Sequence, residues 1–193
     1  MHPGPVNVVQ ENEPSLLKGS YSKGTIPNRV ILPPLTGVPL RGPGRGGPEP
    51  LQVGFTREIP VSGAKLLDPA ARIWSSVNGG RVTAVSVTSP GAVALRLAVA
   101  VTRLPAGAEV RFFGFDSRNQ VFGPITMDQI RALTIPAQAG EPGVFWSPVV
   151  TGETVGMEIY VPDGASEAEV SFTIPRLSHQ YAAPDASQKR RGR

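Results

Sequence analysis

The chain has 193 residues, a formal net charge of +4 and no cysteine, which leaves room for a sizeable core and excludes disulfides and thiolate metal sites. Lys189, Arg190, Arg191 and Arg193 account for the whole charge excess, while residues 52–177 carry ten basic and eleven acidic side chains. That balance excludes a basic face for nucleic acid, and no run of eighteen apolar residues offers a helical membrane span.

The opening, Met1-His2-Pro3-Gly4-Pro5, has no basic stretch followed by an apolar one and does not read as a signal peptide. Ten prolines and eight glycines fall within the first 50 residues, so 1–50 is expected to be an irregular N-terminal segment and linker. Inside it, residues 11–18 suit a brief helical turn, Val30-Ile31-Leu32 suits a short strand, and 35–40 suits an extended piece lying on the domain. The glycines of Arg41-Gly42-Pro43-Gly44-Arg45-Gly46-Gly47-Pro48 form a connector, since a phosphate loop needs a strand before it, a helix after it and a Lys-Ser/Thr pair.

The folded body is expected over 51–178. Val53, Phe55 and Ile59 suggest its first strand. Residues 68–75 are open between one helical turn capped by Asp68 and a strand opening at Trp74. Asn78-Gly79-Gly80 is a hairpin or turn signal, and Val82, Ala84, Val85 and Val87 form the next strand. Residues 92–102 read as a long strand rather than a helix, because Gly91, Pro105 and the valines outweigh the helical preference of Ala and Leu. Leu95, Leu97, Val99 and Val101 share one face. Ala94, Arg96, Ala98 and Ala100 share the other, which suits a half-exposed or closely covered surface.

Residues 109–115 form another strand, with Phe112 and Phe113 on opposite faces. Asp116-Ser117-Arg118-Asn119 makes a polar hairpin connection, and Val121-Phe122-Gly123 returns. Thr126 and Gln129 have capping-box spacing for a short helix through Leu133. Phe145 and Trp146 run into a turn at Ser147-Pro148. In 154–161, Val155, Met157, Ile159 and Val161 alternate with Thr154, Gly156, Glu158 and Tyr160, which predicts a strand with one dry face. Pro162 and Asp163-Gly164 stop it. Residues 168–174 form the last strand, with Val170, Phe172 and Ile174 inward. Short strands between Gly/Pro turns indicate an all-β fold, an antiparallel β-sandwich with jelly-roll character. Residues 179–193 read as a disordered basic C-terminal tail.

The residues do not assemble a catalytic or metal site. A serine hydrolase needs serine, histidine and carboxylate together, yet the histidines are only His2, at the terminus, and His179, read as an edge histidine in a loose segment. No G-x-S-x-G elbow occurs, zinc ligands are too scarce, and no calcium loop is present. No cofactor is expected. Trp74, Phe113, Trp146 and Tyr160 remain as aromatics that either fill the core or form an exposed recognition platform for a glycan.

Several stretches carry a resemblance. They are 51–60 (Leu-Gln-Val-Gly-Phe-Thr-Arg-Glu-Ile-Pro), 92–97 (Ala-Val-Ala-Leu-Arg-Leu), 104–114 (Leu-Pro-Ala-Gly-Ala-Glu-Val-Arg-Phe-Phe-Gly), 145–155 continuing through Tyr160-Val161-Pro162, and the pair Ser178-His179. In this order they resemble the region upstream of the catalytic domain in secreted bacterial lysyl-endopeptidase-like and related trypsin-like serine proteases, over most of 51–179. The resemblance implies a non-catalytic propeptide or accessory β-domain, secreted or periplasmic, that assists folding of a chymotrypsin-like protease domain and holds it inactive. No residue corresponds to the family's catalytic serine, histidine or aspartate. A cognate serine protease is then the expected partner, and Lys189, Arg190, Arg191 and Arg193 read either as a processing junction or as a solubilising, adventitious basic end. The rival readings are a module for a glycan or extracellular protein and a structural component of an extracellular assembly.

Overall fold

The computed structural model describes residues 17–21, 26, 28–36, 54–60, 72–115, 120–136 and 143–181. In chain order the elements are β1 (Asn28–Ile31), β2 (Gly54–Glu58), β3 (Ser75–Val77), β4 (Gly80–Thr88), β5 (Ala94–Arg103), β6 (Glu109–Gly114), β7 (Val121–Ile125), α1 (Met127–Leu133), β8 (Phe145–Trp146), β9 (Val150–Thr151), β10 (Thr154–Pro162) and β11 (Ser171–Gln180). They make an all-β sandwich with one short helix. The first sheet runs β1-β4-β10-β6-β7, with β3 also on β4; the second runs β2-β11-β5-β8, with β9 also on β5.

The alternation in 154–161 dictates the core. Val155, Met157, Ile159 and Val161 point inward from β10 and meet Leu95, Leu97 and Val99 of β5 and Phe172, Ile174 and Leu177 of β11. Burying such side chains contributes about 1.5–3 kcal/mol each. β10 is central: it pairs with β4 from Thr154↔Thr88 to Pro162↔Gly80 and with β6 from Val155↔Gly114 to Tyr160↔Glu109.

Two local signals are realised as read. The Asn78-Gly79 turn joins β3 to β4, with Gly79 at φ +78°, a conformation that favours glycine. Thr126 caps α1: its hydroxyl accepts from the Gln129 N–H, and the Gln129 side chain accepts from the Thr126 N–H. That reciprocal pair is what the spacing encodes. Val170, Phe172 and Ile174 are buried as expected, although β11 begins at Ser171 and a register shift falls between Thr173 and Arg176, around Pro175.

Three expectations need correction. The strand over 154–161 has no exposed second face, because every residue from Thr154 to Val161 is buried. The first sheet is not purely antiparallel, although the short strand read at Val30-Ile31-Leu32 is realised as β1. β1 lies parallel to β4, from Asn28↔Val85 to Ile31↔Thr88, so the sheet is mixed and draws on residues well before the expected body. The last strand continues through His179 and Gln180, which places His179 in the ladder rather than in a loose segment. Other expectations lie outside the described residues: the Asp68 cap, the Asp116–Asn119 connection, the 41–48 connector and the basic tail from Lys189 to Arg193.

Candidate functional site

The four singled-out aromatics do not gather into one platform. Trp74 leads directly into β3 and packs, half-buried, against the main core. Phe113 is buried on the outer face of the first sheet, stacked on Tyr21 at 5.4 Å and edge-on to Phe115 at 5.3 Å. The close approach of Phe113 to β10 needs Gly156, where a Cβ would stand 2.4 Å from the ring. Tyr160 is also buried, its hydroxyl donating to the Gly79 carbonyl at 2.6 Å. Trp146 lies on the second sheet, half-buried rather than in the core, against Ala98, Ala100 and Val144.

What covers Phe113 and Tyr160 is the segment 17–21. The carboxylate of Glu158, fully buried, accepts the Lys18 N–H at 3.1 Å and the Gly19 N–H at 2.8 Å. Arg111 bridges Glu109 at 2.6 Å and stands 3.7 Å from Glu158. The Lys18 ammonium lies 4.4 Å above the Tyr160 ring. Burial, together with the Glu158 charge, pushes the Tyr21 phenol well above its ordinary range, so the hydroxyl stays protonated. A buried carboxylate is tolerated where donors and a cation surround it, and here the donors come from the N-terminal segment.

A serine and a histidine do meet, though not the adjacent pair Ser178-His179. Ser89 Oγ lies 2.7 Å from His179 Nδ1 and accepts from Arg57 Nη1 at 2.7 Å. With the guanidinium donating, the hydroxyl proton is free for Nδ1. The imidazole stacks on Phe55 at 5.0 Å. Burial and then the Arg57 charge hold His179 below its usual value, Glu153 opposing them. Ser89 is fully buried, so its oxygen meets no substrate in this structure. The Arg57 charge also makes the imidazole a weaker base, the reverse of what a nucleophile's partner requires. Arg57 further donates to the Pro33 carbonyl at 2.8 Å, so the cluster ties together the segment after β1, β2, the end of β4 and β11.

The open feature is a groove of about 420 Å³ between the α1 end of the first sheet and β8. Arg96, Ile125, Leu133, Ile135, Phe145, Trp146 and Pro148 line it. Ser147, fully buried between the lining residues Trp146 and Pro148, ties this part of the chain to β5. β8 pairs with Ala98 and Val99, β9 pairs with Ala94 and Leu95, and Ser147 fills the gap between them. Its N–H donates to the Leu97 carbonyl and its hydroxyl accepts the Leu97 N–H, both at 2.9 Å. Its carbonyl accepts from Arg96 Nε at 2.8 Å, which holds the guanidinium 5.8 Å from the Trp146 ring. Burial lowers the Arg96 pKa from its ordinary value, but the group remains a cation. A second hollow, of about 560 Å³, lies along 104–109 and the start of α1. There Arg131 is already paired with Asp128 at 3.4 Å.

Sequence reasoning did not identify Ser89, Ser147 or Glu158 as organising residues. Ser147 is visible there only as a turn former, in Ser147-Pro148, and Ser89 stands in the similar pair Ser89-Pro90. Arg96 did stand out, as the one charge on a face of alanines. Among the described residues no helix is long and apolar enough to cross a membrane, and no group of three or more metal-ligating side chains is present. No curated protein and no solved structure matches the chain. Residues 41–181 match the lysyl endopeptidase N-terminal domain. That match takes in both sheets from β2 to β11, and the chain belongs to the lysyl endopeptidase N-terminal domain family.

Proposed function

We propose that this domain is the non-catalytic pro-region of a secreted or periplasmic serine protease, assisting the protease's folding and restraining it by direct contact. The family match over 41–181 carries this reading, because it takes in the strands of both sheets from β2 to β11. The site chemistry supports it. The Ser89–His179 pair is buried and held by Arg57, so it serves packing rather than acyl transfer, and the domain itself is not an enzyme. Phe113 and Tyr160 are buried beneath segment 17–21, and Trp74 and Trp146 lie apart from them and from each other, which weighs against a coplanar glycan platform. In this reading Lys189, Arg190, Arg191 and Arg193 form the processing junction, presenting successive bonds to a Lys- or Arg-specific protease.

The test is to mix the purified chain with its cognate protease domain and follow turnover of a small lysyl peptide substrate. Turnover should slow in proportion to complex formed, cleavage should occur between Lys189 and Arg193 first, and refolding of the denatured protease should yield more active enzyme. Full protease activity at saturating domain, with unchanged refolding yield, refutes the proposal.

A further inference from the structure

Resting on the pro-region reading, we propose that the groove between α1 and β8 is the surface that holds the protease, and that the protease fills it with a carboxylate flanked by apolar side chains. The apolar half of the argument is exposure. Leu133 and Ile135 are 60 % and 54 % exposed, and both line the same groove as the half-buried Trp146. Large apolar side chains gathered at one concave place mark an interaction surface more than a scatter of single exposed residues does.

The charged half is Arg96. Arg81, Arg103, Arg111 and Arg131 each pair with a carboxylate. Arg96 forms no ion pair among the described residues, although its guanidinium is partly withdrawn from water against Trp146. Its Nε is committed to the Ser147 carbonyl, which fixes the group while leaving its charge without a paired carboxylate among the described residues. A positioned guanidinium in an apolar groove selects a carboxylate, which it can engage through two N–H groups at once. The chain's own basic end, with Lys189, Arg190, Arg191 and Arg193, has the wrong sign for this place. A nucleic acid would require several cations along a face, and the groove contributes one.

The affinity of the chain for a cognate protease domain whose nucleophilic serine has been replaced can be measured by calorimetry, with circular dichroism checking each variant's fold. Arg96→Glu should weaken binding at least tenfold, Arg96→Lys should retain more affinity than Arg96→Glu, and raised salt should narrow the gap between wild type and Arg96→Glu. Leu133→Asp changes an exposed side chain at the end of α1, so the fold survives, and it too should weaken binding at least tenfold. Val93→Ser, an exposed apolar position outside the groove, should bind as wild type does. If wild type binds and both Arg96→Glu and Leu133→Asp bind equally well, the groove assignment is overturned while the pro-region reading stands. Absence of wild-type binding overturns the pro-region reading and the groove assignment together.

Discussion

Replacing Glu158 tests whether segment 17–21 is a fixed part of the fold. The carboxylate is fully buried and accepts the N–H groups of Lys18 and Gly19 at 3.1 and 2.8 Å. Hydrogen bonds to a charged group contribute about 1.5–3 kcal/mol each, so Glu158→Ala removes roughly 3–6 kcal/mol of gross interaction. Two relaxations offset part of this. Arg111 keeps Glu109 at 2.6 Å, so its charge is not stranded, and the segment can lift so that both N–H groups reach water. The expected net loss is about 3 kcal/mol, at the lower end of the range for breaking a buried charged contact. Glu158→Gln keeps one acceptor oxygen and should lose about half as much, in line with one charge-assisted bond. Urea denaturation followed by tryptophan fluorescence gives the stability, and hydrogen exchange gives the protection of the Lys18 and Gly19 amides. A loss below about 1 kcal/mol in Glu158→Ala, with those amides still protected, would show that other contacts hold the segment and that the carboxylate is incidental.

Three further outcomes follow from the geometry. Gly156→Ala places a Cβ 2.4 Å from the Phe113 ring and should cost about 1–3 kcal/mol as an overpacked site; if the additional change Phe113→Leu restores none of that stability, the clash is not the cause. Trp146→Ala should cost about 1–2 kcal/mol, less than the roughly 3–5 of a fully buried aromatic, because the ring is half-buried in the groove; a larger shift in the denaturation midpoint would place it in the core after all. His179 is held below its ordinary value of about 6.5, chiefly by burial and by Arg57, so the unfolded chain takes up this proton first as pH falls. Its contribution is present above the unfolded value and is lost as pH drops from there through the folded value. The melting temperature should therefore decline below neutrality, and His179→Gln should decline less over that window; equal slopes would remove His179 as the titrating group.

The parts of this fold that were legible in the sequence are those set by near neighbours. The alternation of Val155, Met157, Ile159 and Val161 identifies the inner face of β10, since period two is a property of the strand itself. Thr126 and Gln129 identify the start of α1 because both bonds of the cap close within one turn. Asn78-Gly79 identifies a turn for the same reason. The outer face of β10 was illegible because its cover comes from Lys18 and Gly19, about 140 positions away in the chain. A strand covered on both faces by such remote segments has the same local pattern as a half-exposed one. His179 was misread for a related reason. Its partners, Ser89 and Arg57, are brought to it by β4 and β2, and nothing within its own stretch announces them.

The arrangement of covers and edges then restricts where a partner can act. The outer face of the first sheet carries segment 17–21 over Phe113, Glu158 and Tyr160, so it is not open to a second protein while Glu158 holds its donors. Among the described residues that sheet ends at β1 and at β7, and on the β7 side, which lies nearer α1, Pro124 has no N–H to offer an added strand. At the β8 side of the second sheet, the gap between β8 and β9 is already filled by Ser147, which uses the main-chain groups of Leu97. Backbone pairing is therefore poorly supported at both places, and what the groove offers instead is side chains: two exposed aliphatics, one indole face and one guanidinium with no ion pair among the described residues. Recognition by side chains depends on the partner's sequence, whereas strand addition takes affinity mainly from backbone that every chain possesses. Under the proposed pro-region role, restraint of one protease and its release once the chain is cut are better served by the first kind of contact. On this argument, affinity should respond to the charge at Arg96 far more than to any substitution along β7.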